Sequence, residues 1–166
     1  MTPTDDTHDN RLELALSGFN GAVVRYREEV SKHDGTDVGA LVPVTEALWW
    51  AISVDEEYRK EYADWYKSRR DQDRDGRLML GVRYARNRCG HQRAIAINRH
   101  NGMAWPAHWP SRWGAVTWKQ ELPPADNPNQ EHGKDVYWEH LAGRDVGNTL
   151  VAVENWFARF GKRVAA

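Results

Sequence analysis

The chain has 166 residues, 40% of them hydrophobic, with nine Trp, six Tyr, one Cys and a formal net charge of −1. That is enough apolar and aromatic surface for one core, and the lone Cys89 excludes an intramolecular disulfide. The Thr/Asp-rich start lacks the basic and apolar regions of a signal peptide, and no apolar run is expected to reach the roughly 18–20 residues that cross a bilayer. A soluble, cytoplasmic protein without membrane contact is expected.

Residues 1–9 are polar and expected to be disordered. Leu12, Leu16, Phe19, Val23, Tyr26 and Val30 then recur three and four apart, the pattern of an amphipathic helix. Gly18 and Gly21 weaken it, by up to about 1 kcal/mol each relative to Ala. The run His33-Asp34-Gly35-Thr36 reads as its stop. A second helix is predicted from about Pro43 to Arg70, with Leu48, Ile52, Tyr58, Tyr62 and Trp65 as its apolar stripe and Asp55, Glu56, Glu57, Arg59, Lys60 and Glu61 around it. The short loop makes these two helices an antiparallel pair.

The segment Asp71-Gln72-Asp73-Arg74-Asp75-Gly76 has the first half of a calcium-binding loop, but the twelfth position, which needs a bidentate carboxylate, is Val82. It reads instead as an interhelix turn in which Asp75 caps a third helix, predicted over about 77–97. Leu78, Val82, Ala85, Cys89 and Ala96 line one face of that helix; Arg83, Asn87, Gly90 and His91 fall on the other, with Arg86 and Arg93 on a flank. The basic residues are therefore expected at the surface.

Beyond it, Asn101-Gly102 signals a turn, and Pro106 and Pro110 forbid a helix. Residues 114–118 suit a short strand, paired with residues near 103–105. Pro123 to Gly133 reads as a second loop, followed by a short helix over 135–142 and a final one over 145–163 carrying Val146, Leu150, Val153, Trp156, Phe157 and Phe160. The expected fold is mainly α: a four- to five-helix bundle over residues 10–163, with an irregular Trp-rich insert, 99–134, that can hold a short β-hairpin.

Charge is distributed unevenly along the chain. From Arg77 to Gln120 there is no Asp or Glu, but there are eight Lys/Arg and three His, whereas residues 1–76 carry seventeen acidic and ten basic residues. A cation-only segment that also holds Trp105, Trp109, Trp113 and Trp118 suggests a polyanion partner, with RNA the best candidate. The alternative is that its arginines pair with the acidic N-terminal third inside the fold. The tryptophans could stack on unpaired bases, although packing against the bundle suits most of them better. Cys89, His91, His100 and His108 lack zinc-finger spacing, so no metal and no cofactor is expected.

Arg86-Asn87-Arg88-Cys89-Gly90-His91, on a helix of a helical bundle, resembles the HEPN superfamily, whose shared motif is an arginine, four to six residues, and a histidine. The residue after that arginine is often Asn, as Asn87 is here. Glu121-Leu122-Pro123-Pro124, Leu141-Ala142-Gly143-Arg144 and Thr149-Leu150 are also similar to uncharacterised bacterial proteins, a likeness that carries no activity. The HEPN resemblance implies a metal-independent endoribonuclease of a toxin or anti-phage defence system, acting as a homodimer, with an antitoxin or other defence-system protein as a further partner. It makes Arg86, Asn87 and His91 catalytic. His91 would take the 2′-OH proton, Arg86 would hold the phosphate, and Asn87 would donate to the same group or fix the imidazole tautomer. Arg83, Arg88, Arg93 and Arg99 would contact nucleic acid, and the positive charge near His91 would favour its neutral form. Other members have lost catalysis, so a non-catalytic module that binds nucleic acid or protein is the alternative. A helical interaction protein is a third reading.

One geometric problem comes with this motif. Positions 86 and 91 lie about 140° apart on an ideal helix. Either Gly90 distorts the helix or the cleft is shared between two copies. Arg83, Asn87 and His91 share one face without distortion, which makes Arg83 a supporting phosphate contact.

Overall fold

The computed structural model describes residues 5–32, 36–100, 115–125, 127 and 131–164, without the side chains of residues 5–9 and 91. Among them are five helices and a two-stranded sheet: α1 (Asp5–Ser31), α2 (Asp37–Gln72), α3 (Arg74–His91), β1 (Ile97–Arg99), β2 (Val116–Trp118), α4 (Lys134–His140) and α5 (Val146–Val164). The architecture is the mainly α bundle with a short hairpin that the sequence implies.

Helix α1 opens at Asp5, inside the polar stretch expected to be disordered, and buries Ala15, Phe19, Ala22, Val23 and Tyr26 on one stripe. Gly18 is where Trp50 of α2 lies flat against α1, since a Cβ there would meet the indole. Helix α2 starts at Asp37 and not near Pro43, because Thr36 caps it: its hydroxyl accepts from Gly39 N at 3.0 Å. Thr36, taken from the sequence as part of a stop, is thus a start; His33 to Gly35 lie outside the described residues. One stretch of α2 is, by length and composition alone, apolar enough to cross a membrane, contrary to expectation. Its buried face, Ala40, Val44, Ala47, Leu48 and Ala51, packs into the core.

At Ala63 the helix breaks, with φ 40° and ψ −118°. The bend returns Tyr66 and Arg70 towards Asp55, eleven and fifteen residues back along the same element. Asp73, not Asp75, then caps α3, its carboxylate accepting from Asp75 N at 2.9 Å and Gly76 N at 3.1 Å. Arg159 of α5 bridges Asp73 and Asp75, at 2.7 and 2.9 Å. Gly76 permits this turn, because a Cβ would come within 2.8 Å of the Arg70 carbonyl oxygen.

Helix α3 stops at His91, six residues before the expected end. Arg93 takes the left-handed conformation, φ 52°, and Ala94 N returns to the Arg88 carbonyl at 3.1 Å. The freed residues 97–99 form β1, which pairs antiparallel with β2 in the register Ile97–Trp118, Asn98–Thr117 and Arg99–Val116. Among the described residues the partner of 116–118 is thus 97–99; the segment near 103–105, with Trp105, Trp109 and Trp113, lies outside the described residues. Trp118 is wholly buried and donates to Thr149 Oγ1 at 2.9 Å, a packing role.

Helix α3 is central: it packs on α2, α4 and α5, and Arg159 and Trp156 of α5 meet its start at Asp73, Asp75 and Gly76. Val146, Leu150, Val153, Trp156, Phe157 and Phe160 of α5 are all buried, as their spacing predicts. Phe160 joins Tyr58 and Tyr66 of α2 at 4.8 Å each in an aromatic cluster.

Candidate nucleic-acid interface

The wheel that placed the arginines of α3 at the surface assumed one covered face, and the central position of this helix overturns that. Arg83 points at α2. Its Nη2 donates to Asp55 Oδ2 at 2.8 Å and its Nη1 to Glu56 Oε1 at 3.1 Å. Asp55 is fully buried, accepts from the Tyr66 hydroxyl at 2.8 Å, and has Arg70 at 3.6 Å. Trp156 of α5 closes the group, donating to the Tyr66 hydroxyl at 3.2 Å. Burial alone would lower the Arg83 pKa, but Asp55 and then Glu56 outweigh it and hold it above its ordinary value. Arg83 is thus a bundle brace whose charge is already met, not a free phosphate contact.

Arg88 is also removed from the surface. It is 0% exposed, with its guanidinium over the Tyr84 ring at 4.3 Å and its Nη2 on Glu131 at 2.7 Å. The Ala125 N–H, with Lys134 and Arg88 beside it, holds the Glu131 carboxyl below its usual range despite burial. Arg99, on β1, is buried for a third reason. Its guanidinium donates to the carbonyls of Glu29, Val30 and Lys32, the open C-terminal end of α1, at 3.1, 3.3 and 2.5 Å. Its own N–H is held by Asp37 at 2.7 Å. Two of the four residues assigned to nucleic acid are therefore buried, and a third, Arg83, is half-buried and tied to two carboxylates. The internal pairing weighed as the alternative accounts for Arg83 by way of Asp55 and Glu56 of the acidic third. Arg93 is exposed, but its backbone is the helix terminator.

Arg86 stands apart from these. Its guanidinium stacks on Trp49 of α2, 4.6 Å from the ring centroid, and no ion pair joins it to a carboxylate among the described residues. Its Nε is buried without a hydrogen-bond partner, a feature it shares with Nε and Nη1 of Arg88, so what distinguishes it is the missing carboxylate. Burial, then the neighbouring charge of Arg83, lowers its pKa, and Glu56 only partly opposes this. Gly90 lies one turn further on the same face, where a Cβ would approach Trp49 Cζ2 to 2.8 Å. Gly90 is thus a contact residue for the indole and not a helix distortion, since α3 runs unbroken to His91.

Asn87 is half-buried on α3, and His91 is the last residue of the helix, its side chain outside the described residues. Cys89 packs in the core as expected, and burial pushes its thiol up to about 11. Nothing in the residue spacing singles out Trp49. Asp55 did carry a signal, because it falls three and four residues from Ile52 and Ala51 on the buried stripe, where a carboxylate needs a cation.

The chemistry available here is anion recognition: a cation without a carboxylate partner among the described residues, beside an exposed indole and near the end of the helix that carries His91. No family model, curated protein or solved structure matches this chain.

Proposed function

We propose that this chain binds RNA at Arg86 and cleaves it without a metal, as a HEPN-type endoribonuclease of a toxin or defence system whose two copies share a cleft. The observation that carries this reading is the Arg86 guanidinium, partly desolvated, unpaired with any carboxylate among the described residues, and laid on Trp49. A cation so placed gains by taking an anionic oxygen, and a phosphodiester supplies one bidentately. In the cleavage step His91 removes the 2′-OH proton, the 2′-oxygen attacks phosphorus, and the bond to the 5′-oxygen breaks. A second imidazole, from the other copy, protonates that oxygen. The products are a 2′,3′-cyclic phosphate and a 5′-hydroxyl. Arg86 offsets the charge that grows on the phosphoryl oxygens.

The second reading, an RNA-binding module without cleavage, is favoured by the commitment of Arg83 to Asp55 and Glu56, which leaves the phosphate one fewer cation. Wild type, Arg86→Ala and His91→Ala incubated with RNA in EDTA distinguish the two. Cyclic-phosphate products that vanish in both variants support the nuclease. Equal RNA binding by wild type and His91→Ala, with no products from either, supports the module. Loss of neither cleavage nor binding in Arg86→Ala would remove the arginine from both accounts.

A further inference from the structure

Beside Arg86, and joined to it through Trp49, lies an open groove of about 460 Å³ formed by Leu41, Val42, Thr45, Glu46, Trp49 and Trp50. We propose that this groove seats one unpaired nucleobase whose adjoining phosphate rests on Arg86, so that the preferred ligand is single-stranded RNA. The inference rests on the RNA reading above and names its substrate class.

Val42 is 58% exposed and Trp49 43%, on the outer side of a helix whose other faces pack on α1 and α3. Leu41 and Trp50 supply further apolar wall. Among the described residues the only titratable side chain in the lining is Glu46, and Arg25 holds its Oε2 with two hydrogen bonds at 2.8 and 3.0 Å. The wall therefore offers a purine or pyrimidine an apolar, aromatic bed whose one carboxylate is paired with Arg25. The Trp49 indole reaches into both parts of the proposed site, since Arg86 stacks on it and it also lines the groove. A guanidinium and an aromatic side chain held together meet both halves of a nucleotide, the charged link and the flat ring. Bases inside a duplex keep their faces against one another and cannot enter such a groove, whereas a splayed base can.

The test uses the intact protein and short 2′-O-methyl oligonucleotides, which bind but cannot be cleaved. Affinity is measured for a single strand, the same strand with one abasic position series, and its duplex. Trp49→Ala and Val42→Glu are each expected to weaken single-strand binding on the order of tenfold or more, as loss of one stacked base does. The duplex is expected to bind more weakly than the single strand by a similar factor. Val42 is exposed, so its variant keeps the fold, which circular dichroism verifies. Wild-type affinity in both groove variants, with Arg86→Ala impaired, overturns the base site and leaves the phosphate contact standing. Equal affinity for duplex and single strand also overturns it. Absence of oligonucleotide binding by wild type removes the RNA reading itself, and this site with it.

Discussion

Replacing Arg83 by Ala separates a structural arginine from an RNA-binding one. The side chain is 19% exposed and its partner Asp55 is 1% exposed, so the substitution strands a carboxylate in the core with the Tyr66 hydroxyl and a more distant Arg70 at 3.6 Å. Breaking a buried ion pair from one side costs about 3–5 kcal/mol, and the remaining partners place this case near 3. Against a total stability of roughly 5–15 kcal/mol that is a large fraction. For a domain of this size it corresponds to a fall in Tm of about 6–12 °C. Urea unfolding followed by tryptophan fluorescence should show a lower midpoint with an unchanged slope. Asp55→Asn and the double variant complete a cycle, in which the two losses should be far from additive. A loss below about 0.5 kcal/mol, the range of an ordinary surface change, would refute the reasoning and return Arg83 to the pool of free cations.

Acid stability should depend on Asp73. Burial alone would raise its carboxyl, but the Gly76 N–H, Arg159 and the Asp75 N–H outweigh it and hold it below the ordinary 3.8. A depressed carboxylate stabilises the fold above its unfolded pKa and loses that contribution as pH falls through the folded value. Asp73→Asn keeps a capping side chain, so its urea midpoint should fall less steeply than that of wild type below about pH 4. The Cys89 thiol, buried and raised to about 11, should react with a thiol reagent far more slowly in native buffer than in urea. Equal rates would show that the helix end is open. Arg93→Gly relieves a left-handed residue at the end of α3 and should raise stability by about 1 kcal/mol in the same urea assay; destabilisation would mean that the arginine side chain makes a contact worth more than the strain.

The fold was legible wherever spacing alone decides burial. The stripes on α1 and α5 are three- and four-residue repeats of large apolar side chains, and the short helix before Gly143 appears where it was expected. Ends were less legible, because they depend on single side chains that periodicity does not register. Thr36 and Asp73 each moved a helix start, and Arg93 ended α3 early, although arginine is a poor choice for the left-handed region. The site was legible only in part. A run without acids does mark cations, but it does not say which of them acidic residues elsewhere in the chain will reach. The bend at Ala63 brings Tyr66 and Arg70 back to Asp55, and the packing of α3 on α2 adds Arg83 from 28 residues away. Arg86 instead meets the Trp49 indole of α2.

The position of Arg99 has a consequence for how the chain tolerates damage. One residue grips the last carbonyls of α1 through its guanidinium and the first turn of α2 through its backbone. The covalent link between those two helices is thereby duplicated by a noncovalent one. A protease that severed the peptide between Lys32 and Thr36 would leave the two helix ends still tethered through β1. New termini made there by circular permutation would start with their neighbours already in place.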